Sequence, residues 1–81
     1  METKICEASR KWLIGMINAI DDEIGLREED KVLIMMQLNS EEKLDRFNEW
    51  IRENIKDSKL DATPVDVMNA TAKIGRLKCD R

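Results

Sequence analysis

Apolar residues recur along most of this chain at helical spacing, and in one place they stop alternating with polar residues altogether. Over Thr3 to Ile24, Ile5, Ala8, Trp12, Leu13, Met16, Ile17, Ala19, Ile20 and Ile24 stand on one side, with Glu7, Arg10, Lys11, Asn18 and Asp21 on the other. That is the pattern of a long amphipathic helix. Gly25 followed by Leu26 reads as its stop, the glycine taking a left-handed conformation and the leucine folding back on the last turn. Asp21, Asp22 and Glu23 oppose the dipole at that end, so the helix is expected to fray or to stop one turn early.

The unbroken stretch is Val32-Leu33-Ile34-Met35-Met36, followed by Gln37 and Leu38; nowhere else do five apolar residues run together. A helix with apolar groups all round has no solvent face, so it must be wrapped by other elements of the chain or by a second chain. We take residues 27–38 as a second helix, opened by Glu28, Glu29 and Asp30, whose charge suits the N-terminal dipole. By composition alone Val32 to Leu38 also fits a short buried strand. A lone strand among helices would have no partner for its backbone groups, which favours the helix. Val32, Leu33, Ile34, Met36 and Leu38 are expected to be largely buried in the native assembly.

Ser40, a good N-cap, precedes two glutamates and a third helix over residues 41–56, with Leu44, Phe47, Ile51 and Ile55 in a narrow stripe and Trp50 at its edge. Asp57 to Ala62 is a polar connector in which Leu60 is expected to tuck inward. Thr63-Pro64-Val65-Asp66 is the clearest local signal: Thr as N-cap, Pro at the first helical position, and an acid at the third that can answer the cap. The fourth helix, residues 64–77, carries two apolar stripes, Val65, Met68 and Ala72 on one side and Val67, Ala70, Ile74 and Leu77 nearly opposite. Two stripes need two partners. One is the core of this chain; Val67, Ala70, Ile74 and Leu77, with Trp50 as an aromatic anchor, are the candidate partner-binding residues.

Eighty-one residues make one domain near the size at which a single core suffices. Charged residues at 38% beside apolar ones at 42% describe a folding chain rather than a disordered one. No apolar stretch approaches the roughly 18 residues of a membrane span, and Met1-Glu2-Thr3-Lys4 lacks a signal-peptide pattern, so the expected setting is cytoplasmic. Cys6 and Cys79 are the two cysteines. A disulfide would require the termini to meet, and two free thiols are the expectation in a reducing compartment. Residues 1 to 63 hold 10 Lys/Arg against 15 Asp/Glu, while residues 64 to 81 hold 4 against 2. This mild basic excess in the tail is small beside the patches that bind nucleic acid through many phosphates.

The chain has no histidine, which removes imidazole-based triads, His-metal hydrolysis and His-assisted thiol catalysis. Its three glycines, Gly15, Gly25 and Gly75, are far apart and form no phosphate loop; Gly15 is expected to permit a close helix contact or merely to weaken its helix. The acids between Asp21 and Asp30 do not make a calcium loop. With Gly25 at the sixth position, Ile20 would be the first ligand and Lys31 the twelfth, and neither can serve. A helix-turn-helix fails as well: Asp57 to Thr63 is longer than a turn of about 3 to 4 residues, and Pro64, Val65, Asp66 and Val67 are unsuited to reading bases. Met16, Met35, Met36 and Met68 fit either core filling or an adaptable groove for a helical ligand.

The expected protein is thus an all-α, compact bundle of about four helices in a single domain over residues 1–81. Its expected function is that of a small intracellular, non-enzymatic protein–protein interaction or regulatory module, with self-association as one form of that interaction. The alternative is a nucleic-acid-associated protein using the basic C-terminal helix. No catalytic residue, cofactor or metal is expected, and the expected partner is another protein or a second copy, not nucleic acid or a membrane.

Overall fold

The computed structural model describes residues 5–77. They form four helices, α1 (Glu7–Ile24), α2 (Glu28–Gln37), α3 (Glu41–Glu53) and α4 (Pro64–Gly75), with a minimal hairpin, β1 (Ile55–Lys56) and β2 (Lys59–Leu60), between the last two. The described residues form a small all-α bundle and are 73% helical. No helix among the described residues is long and apolar enough to cross a membrane.

The caps lie where local sequence puts them. The Ser40 hydroxyl accepts the Lys43 N–H at 3.3 Å. Thr63 accepts the Asp66 N–H at 3.1 Å, and the Asp66 carboxylate accepts the Thr63 N–H at 3.1 Å, with Pro64 at the first helical position. The acids at the end of α1 neither fray nor shorten it, because Asp21 is fully engaged. It accepts the Leu26 N–H at 2.6 Å and meets the Lys31 ammonium at 3.0 Å. Gly25 makes the turn at φ 80°, a backbone angle that L side chains rarely adopt.

Two boundaries differ from the sequence reading by three residues or more, while both ends of α2 and the end of α4 differ by one or two. At the start, α1 begins at Glu7 rather than Thr3, of which Thr3 and Lys4 lie outside the described residues. Glu41, from the first turn of α3, accepts the Cys6 N–H at 3.0 Å and the Ser9 hydroxyl at 2.8 Å, tying the two helix starts together. Helix α3 stops at Glu53 rather than Lys56, because the Asn54 side chain donates back to the Trp50 carbonyl at 2.8 Å and the chain then turns into the hairpin. Ile55 pairs with Leu60 and Lys56 with Lys59 across Asp57 and Ser58 at φ 54° and 65°. Positive φ at both central residues is the signature of a type I′ hairpin turn. The Leu60 N–H donates to Glu23 at 2.7 Å, pinning the hairpin to α1, and its side chain packs on the core as expected.

The core is built from Leu13, Ile17 and Ile20 of α1, Ile34 and Leu38 at α2, Leu44, Phe47 and Ile51 of α3, and Val67 and Ile74 of α4. Gly75 lets α4 approach α2 closely: a Cβ there would stand 3.0 Å from the Gln37 Cβ. Gly15, expected to allow such an approach, has nothing within 4 Å of a Cβ.

Candidate interaction surface

Helix α2 turns its sequence inside out. Its inner edge is Asp30, Ile34 and, at the C-cap, Leu38, spaced i, i+4, i+8 so that they share one side. Ile34 and Leu38 are fully buried; Asp30 is 7% exposed, its carboxylate accepting the Arg27 N–H at 3.4 Å and facing the Arg27 guanidinium at 3.5 Å. The remaining apolar residues of the run point outward. Val32, Leu33 and Met36 are 52%, 44% and 64% exposed, with Met35 also exposed. Within one chain, then, Ile34 and Leu38 of the expected set are buried and Val32, Leu33 and Met36 are not: polar Asp30 takes a place on the inner side, and the described residues supply nothing that covers the other. Val32 and Met36 are i, i+4 neighbours and Leu33 and Met36 i, i+3 neighbours, so the three form one exposed stripe.

The stripe continues across a groove onto α4. A depression of about 730 Å³ is lined by Leu26 and Leu33 on one side and Pro64, Val65 and Met68 on the other, with Asp21, Arg27, Asp30 and Asn69 completing its wall. Val65 is 66% exposed, and Met68 half-buried. The two helices run in the same direction here. Pro64 and Val65 face the start of α2 at this groove, while Gly75 meets Gln37 at its end.

Of the residues singled out on α4, Val67 is fully buried and Ile74 is 8% exposed, both within the core. Trp50 packs against that core, stacked on Phe47 with ring centroids 6.3 Å apart. Ala70 is half-buried, and Leu77 is exposed at the end of the chain's described part. The structure thus places Val67 and Ile74 inside the bundle and Trp50, partly buried, against the core, and the stripe carrying Val67 and Ile74 is the inner one, not the outer. Thr71 explains why the sequence did not reveal this. It lies between them at zero exposure, and its hydroxyl donates to the Val67 and Met68 carbonyls at 3.1 and 3.0 Å, so a polar residue completes the buried stripe at no hydrogen-bonding cost. Val65 and Met68, of the stripe assigned to the core, are the ones that border the groove.

Charge is divided along this surface. The end where both helices start carries Asp21, Glu28, Glu29, Asp30 and Asp66 against Arg27 and Lys31. Arg27 lies 3.4 Å from Glu29 and 3.5 Å from Asp30, and Lys31 lies 3.0 Å from Asp21 and 3.6 Å from Glu28. The Leu26 N–H, and after it the Lys31 ammonium, hold the Asp21 carboxyl below its ordinary value; Asp21 in turn raises Lys31. At the far end stand Lys73 and Arg76, neither in an ion pair among the described residues.

Among the described residues no group of three potential metal ligands comes together. The Cys6 thiol is free and exposed, donating to the Ser9 hydroxyl at 3.3 Å; a pairing with Cys79 lies outside the described residues. No protein-family model, no curated protein and no solved structure matches this chain.

Proposed function

We propose that the protein is a small, non-enzymatic interaction module that binds a protein partner through the outer face of α2 and the adjoining α2–α4 groove. The observation that carries this reading is the exposed stripe Val32, Leu33 and Met36. Scattered apolar residues are ordinary on a protein surface, whereas a contiguous apolar face rimmed by charges marks a contact site. Flexible methionines at such a site, here Met36 and Met68, adapt to the shape of what they meet. The chain has no histidine, and the two cations beside the groove, Arg27 and Lys31, are each held between two carboxylates.

The test is site-specific photo-crosslinking in the native host, with the probe at Met36 and a control probe at Glu49 on the exposed side of α3. Adducts with protein formed from position 36 and not from position 49 are the expected result. Absence of any adduct specific to position 36 would overturn the reading.

A further inference from the structure

We infer that the occupant of this face is a second copy of the same chain, docked with the α2 helices antiparallel about a two-fold axis that lies in the contact plane perpendicular to them. The inference rests on the proposed interaction surface and names its partner. A two-fold contact must be self-complementary: each patch meets its own image. Because α2 and α4 run in the same direction along the surface, this axis places α2 on α2 and α4 on α4, each reversed. Met36 of one chain then lies over Val32 of the other, and Leu33 lies close to the axis.

Charge selects this arrangement over the parallel one. Reversal sets the acidic end, with Glu28, Glu29 and Asp66, against the end carrying Lys73 and Arg76, and it also opposes the helix dipoles head to tail. A parallel pairing would lay acids on acids. The ion pair of Glu29 with Arg27 does not prevent the exchange, since both side chains are mostly exposed, at 69% and 76%, and such pairs contribute little. Lys73 and Arg76 make no ion pair among the described residues, so a second chain meets them without first breaking one. The unbroken apolar run of α2, which the described residues of one chain leave partly uncovered, is then enclosed by two.

Sedimentation equilibrium on the full chain tests this. The expected mass is twice 9.4 kDa. Met36→Lys, at a position too exposed to be needed for folding, should weaken the dimer about thirtyfold or more with helicity unchanged by circular dichroism. Glu29→Lys and Arg76→Glu should each weaken it about fivefold, and the double variant should recover affinity because the charges are exchanged together. A single species of 9.4 kDa up to about 1 mM would overturn the inference. So would a dimer indifferent to Met36→Lys, or a double variant weaker than either single one. If the chain is monomeric while position 36 still crosslinks to a different protein, the second-copy inference fails and the interaction-module reading stands.

Discussion

Leu33 and Ile34 are adjacent, similar in size and nearly equal in hydrophobicity, yet one is 44% exposed and the other fully buried. Their contributions to stability must differ accordingly. Truncating Ile34 removes transfer energy and leaves a cavity among core side chains, and Ile34→Ala is expected to cost about 2 to 5 kcal/mol. Leu33→Ala removes contacts mainly with water, and in the monomer it is expected to cost less than about 1 kcal/mol. Urea unfolding of the two variants at a concentration where the chain is monomeric would check the contrast; equal losses would place Leu33 in the core. The sequence offered no means of telling these two residues apart, because each is apolar and flanked by apolar neighbours.

At the scale of the helix, two helical glycines carry opposite consequences. Gly15 sits mid-helix in α1 with open space where a Cβ would be, so it contributes only backbone freedom. Gly15→Ala should stabilise by about 0.5 to 1 kcal/mol. Gly75 ends α4 against Gln37, and a methyl group there would stand 3.0 Å from the Gln37 Cβ and 3.4 Å from its carbonyl oxygen. Gly75→Ala should therefore force the two helices apart and destabilise, by about 1 kcal/mol or more, in spite of the better helix propensity. Thermal melts of the two variants should move in opposite directions. A parallel rise would show that the α2–α4 contact yields easily. Which glycine is the spacer is invisible in the sequence, since it depends on where another helix crosses.

The whole bundle is held at two places by carboxylates that titrate. Asp21 lies below its ordinary 3.8 through the Leu26 N–H and then Lys31; Glu41 lies below its ordinary 4.5 through the Cys6 N–H and then the Ser9 hydroxyl. Each binds fewer protons folded than unfolded. The stability they supply is complete above their unfolded values and is lost as the pH falls through the lower, folded ones. Urea midpoints should therefore fall as the pH drops from neutrality to below 3.8, and Asp21→Asn with Glu41→Gln should flatten that fall. Lys31 is raised above 10.5, so its contribution has the opposite sign, being lost only as the pH climbs through the folded value. An acid limb equally steep in the double variant would show that other carboxylates govern acid unfolding.

Local chemistry determined a good part of this molecule. Ser40 and the Thr63, Pro64 and Asp66 box specify helix starts through atoms three residues apart, and Leu13, Ile17 and Ile20 or Leu44, Phe47 and Ile51 specify a buried side wherever the opposite side is polar. The number, order and approximate extent of the helices follow from that. The tertiary structure decided what periodicity leaves open. In α2 and α4 apolar residues stand on more than one side, and the inner side was chosen by which helices lie alongside. Asp30 and Thr71 could join it because Arg27 and the Val67 and Met68 carbonyls satisfy them. The hairpin at Asp57 and Ser58 is likewise tied to α1 through the Leu60 N–H and Glu23, 37 residues apart. The exposed stripe of Val32, Leu33 and Met36 exists for the same reason: burial belongs to a residue's neighbours in space, and only the assembled bundle shows where neighbours are missing.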